Sequence, residues 1–291
     1  MRFLEEYNVV KVWGTPWLEG SGTTMKKVLI TGVYGLIGNA AYRRLLGHPE
    51  AYEVHGFSRR RHSSDRISAA MAEVPEAQFH LADLKDFDAV RRAVEGMDVI
   101  IHMAADPSGQ RGWESVLNSN VIGAYNIFEA ARLASVRRVV FASSIQTVFG
   151  YRDTEPYTTL FAARYDEVDP ETIPALTHKD CARPLNLYAS SKVWGEALAH
   201  TYAYRHGLSC LVLRIGWVVE EDRPTNPWGQ NQWCSRRDIA QLCQCCVDAP
   251  DDLRFDIFYG VSNNDYNWVD IEHAREVLGY EPLDRAEDKI V

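Results

Sequence analysis

The chain has 291 residues, 46% of them hydrophobic and 24% charged, with a formal net charge of −9. That balance belongs to a globular protein of one large domain, or one domain with a small appendage, and the excess of acid argues against nucleic acid as a partner. No apolar run approaches the roughly 18 residues of a membrane span, and no basic-then-apolar leader opens the chain, so a cytoplasmic protein with no membrane attachment is expected.

Residues 1–24, with Trp13, Pro16, Trp17 and a Gly20-Ser-Gly22 stretch, read as an irregular extension. From Lys27 the pattern alternates. Strands are expected at Val28–Thr31, Val54–Phe57, Phe79–Leu81, Asp98–Met103, Arg138–Ala142 and Cys210–Arg214. Between them fall helices at Leu36–Leu46, Phe87–Val94, Trp113–Ala134 and Tyr188–His206. This repetition predicts an α/β fold, a doubly wound parallel sheet of Rossmann type spanning residues 25–216. Gly150–Leu187 breaks the rhythm with Pro156, Pro170, Pro174 and Pro184 and reads as a lid or binding loop. Residues 217–291, with helices near Arg237–Val247 and Val269–Leu278 and a strand near Asp256–Tyr259, are expected to form a small substrate cap. Six cysteines include no paired C-x-x-C units, and Cys243, Cys245 and Cys246 read as helix thiols of a reducing compartment, with no metal.

Two motifs carry chemistry. Gly32-Val-Tyr-Gly35-Leu-Ile-Gly38 follows a strand and opens a helix. Amides at such a helix start attract a pyrophosphate, and glycines let it come close, so the turn reads as a dinucleotide site. About 20 residues on, where an acid would hold the ribose of NAD, stands Ser58-Arg59-Arg60-Arg61. Serine and arginines suit a 2′-phosphate, so NADP is favoured over NAD. Asp83 is placed either to meet the adenine edge or to cap the next helix. Ala104 and Ala105 are small, as befits a passage of cofactor over the sheet, and Asn120 either faces solvent or bonds backbone near the site.

The second motif is Tyr188-Ala-Ser-Ser-Lys192. Residues four apart share a helix face, so the ammonium stands beside the phenol and is expected to lower its pKa from about 10 toward the range of a working base. Such a tyrosine exchanges a proton with a substrate hydroxyl or carbonyl. Ser143 and Ser144 end the fifth strand, where open α/β sheets bind ligands.

Thr31-Gly-x-x-Gly35-x-x-Gly38, Asp83, His102-x-Ala104-Ala105, Asn120, Phe141-Ala-Ser-Ser144 and Tyr188-x-x-x-Lys192 together resemble the extended short-chain dehydrogenases/reductases, the NAD-dependent epimerase/dehydratase family. The resemblance covers about residues 26–285. It implies Tyr188 as acid/base, Lys192 as holder of the nicotinamide ribose and Ser144, rather than Ser143, as the positioner of the substrate oxygen. It implies a cofactor site of Gly32, Tyr34, Gly35, Leu36, Ile37, Gly38, Ser58, Arg59, Asp83, Leu84, Ala104, Ala105, Asn120, Lys192 and Ile215. Ser108, Ser144, Gln146 and Tyr188 are implied to meet the substrate, and a homodimer is implied through the helices that contain Asn120 and Tyr188.

Within the family the chain resembles uronate dehydrogenases and haloarchaeal glucose-6-phosphate dehydrogenases, through segments such as Arg183-Pro-x-Asn-Leu-Tyr188, Leu213-Arg-Ile-Gly216 and Tyr259-Gly-Val-Ser-Asn-Asn264. It departs from them at Ile145-Gln146, where they carry Asn-His. It departs again at Trp228, where an arginine grips a uronate carboxylate, which argues against a uronate substrate. Dehydrogenation of a small sugar or sugar derivative is therefore expected. Epimerisation is the alternative, since the same tyrosine and lysine serve it, and a non-catalytic dinucleotide-binding protein is the third reading. Dehydration lacks its extra acid, because Ile145 and Gln146 supply none.

Overall fold

Val28, Leu29 and Ile30 sit at the centre of β1 (Lys26–Thr31), and all three are fully buried. A continuous apolar run is what a parallel strand covered on both faces requires. Val28 and Ile30 enter one core and Leu29 the opposite one, as strand alternation dictates. Six more strands follow: β2 (Tyr52–Ser58), β3 (Phe79–Leu81), β4 (Val99–His102), β5 (Arg138–Ser144), β6 (Ser209–Ile215) and β7 (Phe255–Gly260). All pair in parallel in one sheet of order β3-β2-β1-β4-β5-β6-β7. The order reverses between β1 and β4, and the chain parts there to leave a crevice at the strands' carboxyl ends. The computed structural model describes residues 25–63, 67–107, 110 and 112–290. The expected 1–24 extension and Ser108 lie outside them.

One face of the sheet carries α1 (Leu36–Leu46), α7 (Arg236–Asp248) and α8 (Glu272–Leu278). The other carries α2 (Phe87–Val94), α3 (Trp113–Val116), α4 (Gly123–Leu133) and α6 (Leu187–His206). The helix expected over Trp113–Ala134 is interrupted between α3 and α4 by a π-helical turn, Leu117–Ile122, which contains Asn120. Such turns insert extra backbone and re-aim side chains at functional sites. Helix α8 starts later than expected because the Asp270 carboxylate accepts from the amides of Glu272 and His273 at 2.9 and 3.3 Å, satisfying the donors of a first turn. Cys243 and Cys246 are buried in α7, and burial pushes the Cys243 thiol up to about 12, so these are inert core thiols. Among the described residues no helix is long and apolar enough to cross a membrane.

Residues 217–291 do not all stand apart from the sheet. Ile257, Phe258 and Tyr259 give β7 an apolar run that extends the sheet beyond β6, and α7 packs on α1. What lies outside the two main cores is a third, smaller one. It joins Ile145, Val148, Leu160 and Leu176 of the insertion after β5 to Val261, Trp268, Val269 and Ile271 of the C-terminal segment. Helix α5 (Tyr157–Phe161) belongs to it. The expected lid and the outer part of the expected cap thus share one core beside the crevice.

Candidate active site

Thr31 ends β1 and ties it to β4. Its Oγ1 lies 2.7 Å from His102 Nδ1 and accepts from the Ala104 amide at 3.1 Å. Burial pushes His102 down to about 3, so the ring that shares this hydrogen bond with Thr31 is neutral. The turn that follows needs its glycines. Gly32 has φ +70°, and a Cβ there would lie 2.9 Å from Ala104 N. A Cβ on Gly38 would lie 2.3 Å from the Gly32 carbonyl oxygen. Gly35 stands at the start of α1 with no side-chain cap and no acid in the first turn, which leaves amides of that turn for an anion. Backbone that a Cβ would obstruct, at an uncapped helix start, fits a pyrophosphate.

A cleft of about 450 Å³ opens over this turn. Gly32, Tyr34, Gly35, Leu36, Ile37, Gly38, Ser58, Arg59, Asp83, Leu84, Ala104 and Ala105 line it, all residues expected from the sequence. Arg60, from the arginine stretch expected to meet a 2′-phosphate, also lines it, as do His62, Met103, Asp106, Ser115 and Val218, which were not expected as site residues. Arg61 turns away, 2.5 Å from Glu76 and over the Phe79 ring. Arg59 faces Asp83 across 3.9 Å, both partly exposed. Asp83 is not the cap of α2; Asp86 is, accepting from Ala89 N at 3.0 Å. That leaves Asp83 on the cleft wall.

Asn120 is buried in the π turn and does not line the cleft. Its side chain accepts from the Asp106 amide at 2.7 Å and donates to the Asp106 carbonyl at 3.1 Å. It also donates to Ser191 Oγ at 3.0 Å, and Ser191 donates to the Tyr188 carbonyl at 2.6 Å. Asn120 is therefore a brace between the loop after β4 and the start of α6. Ile215, expected near the cofactor, is buried in the core and is also absent from the cleft wall.

Asn186 caps α6 by accepting from Ala189 N at 2.8 Å, which starts the helix just before Tyr188. Tyr188, Lys192 and Glu196 follow at four-residue spacing on one face. A Cβ on Gly195 would meet the Phe141 ring at 2.2 Å, so glycine lets α6 close on β5. Lys192 Nζ donates to the Ala142 carbonyl at 2.7 Å and lies 5.6 Å from the centre of the Tyr188 ring. Burial lowers Lys192 to about 8. Tyr188 is raised above its ordinary value: burial outweighs the lowering influence of the Ser144 hydroxyl, and Asp106 raises it further. This reverses the expected direction. The lysine is occupied by Ala142 and weakened by the same burial that penalises the phenolate.

The two serines differ sharply. Ser143 Oγ donates to Glu196 at 2.5 Å. Glu196 receives both prongs of Arg214, at 3.0 and 2.9 Å, and Arg214 continues to the Tyr259 hydroxyl at 3.0 Å. Ser144 is the serine whose hydroxyl acts to lower Tyr188, and its Oγ accepts from Gln146 N at 3.2 Å. Gln146 Oε1 accepts from Asn186 Nδ2 at 3.0 Å, while Ile145 is buried in the third core. Trp228 is exposed and stacks on Trp217 at 4.7 Å. The Glu196–Arg214 pair was missed from the sequence, although Glu196 continues the spacing of Tyr188 and Lys192.

This set of groups has known counterparts. Residues 28–227 match the model of the NAD dependent epimerase/dehydratase family. The chain is 35% identical over 262 residues to the NAD-dependent glucose-6-phosphate dehydrogenase of Haloferax volcanii, covering 89% of this chain and 94% of that one. It is 30% identical to the L-arabinose 1-dehydrogenase (NAD(P)(+)) of the same organism, covering 90% and 98%. Its fold matches a crystal structure of a mutant uronate dehydrogenase from Agrobacterium tumefaciens complexed with NAD, at a TM-score of 0.71 and 31% identity over 91% of this chain and 87% of that one. With a family model matched over residues 28–227 and a relative 35% identical over 89% of its length, the chain belongs to the NAD-dependent epimerase/dehydratase family.

Proposed function

We propose that the protein is a dehydrogenase that oxidises a small sugar or sugar derivative with a nicotinamide dinucleotide. The observation that carries this reading is the convergence at the carboxyl end of β5 of Ser144, Tyr188 and Lys192, whose Nζ lies 5.6 Å from the centre of the Tyr188 ring, next to a glycine turn shaped for a pyrophosphate. The bound dinucleotide supplies the hydride acceptor. Ser144 holds the substrate hydroxyl oxygen, and Tyr188, once deprotonated, removes its proton. Lys192 leaves the Ala142 carbonyl to hold the nicotinamide ribose, and its charge then favours the phenolate. Asn120 keeps the loop after β4 and the start of α6 in register, so that these groups converge. Gln146 and Ser108 complete the substrate site; Ile145 and Gln146 bring no acid for dehydration.

NADP is the favoured cofactor. Ser58, Arg59 and Arg60 are on the cleft wall, and residues 58–63 contain no carboxylate. Guanidinium and hydroxyl groups pair with a 2′-phosphate. The sugar dehydrogenases named above support the substrate class, and Trp228 supports a substrate without a carboxylate to grip. The protein acts as a cytoplasmic homodimer, a reading supported by the large side chains that α4 and α6 leave exposed, Tyr125, Leu133, Trp194 and Tyr204. Aldoses, uronates and sugar phosphates assayed with NAD and with NADP, followed by absorbance of the reduced cofactor, test it. Turnover of an aldose or sugar phosphate, with NADP preferred, is expected; no turnover with any sugar would remove the dehydrogenase reading.

A further inference from the structure

Away from the dinucleotide cleft, three side chains that the proposed reaction does not use come together from distant parts of the sequence. His178 belongs to the insertion between β5 and α6, Asp256 to the first residues of β7, and His273 to α8. One ligand atom from each lies within 4.8 Å of the other two. The His178 and His273 rings stack at 4.0 Å, and His273 stacks in turn on Phe258 at 5.2 Å. His273 Nε2 is 3.0 Å from Asp256 Oδ2. The other Asp256 oxygen accepts from the Ile257 amide at 2.8 Å, which fixes the carboxylate.

A hydrogen-bonded histidine–aspartate pair would explain two of these residues but not the third. His178 Nδ1 is buried and has no hydrogen-bond partner among the described residues. A buried ring nitrogen without a partner is costly, and such atoms call for a ligand. All three residues are half-buried, so an ion and a water can reach them.

We infer that His178, Asp256 and His273 form a site for a divalent transition metal, with zinc the fitting ion and a water in the fourth position. Two imidazoles and one carboxylate are a zinc donor set. Ligand atoms of a tetrahedral zinc site stand about 3.4 Å apart, so His178 has to rotate out of its stack on His273 for both rings to hold one ion. The Asp256–Ile257 bond is the kind of outer contact that orients a ligating carboxylate. The site is separate from the dinucleotide cleft, since none of the three residues lines it. It fastens the insertion to the edge strand of the sheet, next to where Thr177 accepts from the Tyr259 hydroxyl at 3.4 Å and Leu176 exchanges backbone hydrogen bonds with Trp268 and Asp270 at 2.9 Å.

The test uses the full, untagged chain stripped of metal by a chelator, then titrated with Co²⁺ and with Zn²⁺. One Co²⁺ per chain, with tetrahedral visible bands of nitrogen and oxygen ligation that Zn²⁺ displaces, is expected. His178→Gln and Asp256→Asn should each weaken binding at least about tenfold. Thermal melts should show Zn²⁺ raising the midpoint of the parent protein and not of the variants. Asp256→Asn preserves size and shape and carries the comparison if the histidine variant fails to fold. Failure of the parent to take up one equivalent, thiolate-to-cobalt absorption, or undiminished uptake by a folded variant would overturn the assignment.

Discussion

The two ends of the candidate site are built from different materials. At the glycine turn, recognition rests on backbone: Gly32 and Gly38 leave no room for a Cβ, and α1 begins without a side-chain cap. At the Tyr188 end it rests on side chains whose charges depend on burial and on one another. A backbone site has no state to change with pH and tolerates no added atom. A side-chain site tolerates small changes of shape but is sensitive to which proton sits where.

Substitutions separate these two kinds of construction. The largest stability loss is expected at the buried ion pair behind Tyr188. Glu196→Ala leaves Arg214 without its counter-charge and should cost about 3–5 kcal/mol in denaturant unfolding. Gly38→Ala forces a methyl against the Gly32 carbonyl and should cost about 1–3 kcal/mol. Calorimetric titration should show it losing dinucleotide affinity as well; affinity kept at the parent level would break the contrast. Ser143→Ala removes one hydrogen bond to Glu196 and should cost about 1 kcal/mol with turnover retained, whereas Ser144→Ala should lose turnover with stability nearly unchanged. Equal turnover losses in the two would erase the distinction drawn between neighbouring serines.

The smallest effect at neutral pH comes from His102. Its folded pKa of about 3 lies below the ordinary value of 6.5, so the unfolded chain binds a proton that the folded chain refuses. Its contribution is fully present above about pH 6.5 and declines as pH falls toward 3. Urea midpoints measured from pH 7 downward should fall in the parent and fall less steeply in a folded His102→Gln variant.

The glycine turn and the strand–helix alternation of the nucleotide half were legible because backbone geometry demands particular residues at fixed spacing. The choice of Ser144 over Ser143 came from resemblance, and strand alternation supplies its physical reason: Ser143 shares the α6-facing side of β5 with Phe141. The direction of the Tyr188 shift was not legible. Spacing brings Lys192 near Tyr188, but it does not reveal that Ala142 takes the ammonium or that burial penalises both charges. Nor does local pattern reveal that Asp256–Tyr259 joins the main sheet, since pairing of β7 with β6 is a contact between distant segments. Asn120 was read as either facing solvent or bonding backbone near the site, and the π turn that buries it and aims it at Asp106 and Ser191 left no mark in the periodicity.

The central claim is that Tyr188 exchanges the substrate proton in a dinucleotide-dependent sugar oxidation. Its most direct test compares the parent with Tyr188→Phe, measuring dinucleotide binding by fluorescence and sugar-dependent formation of reduced cofactor by absorbance. Unchanged binding with turnover lowered about 10²–10⁴-fold is the predicted result. A Tyr188→Phe variant that binds and turns over like the parent would contradict the account.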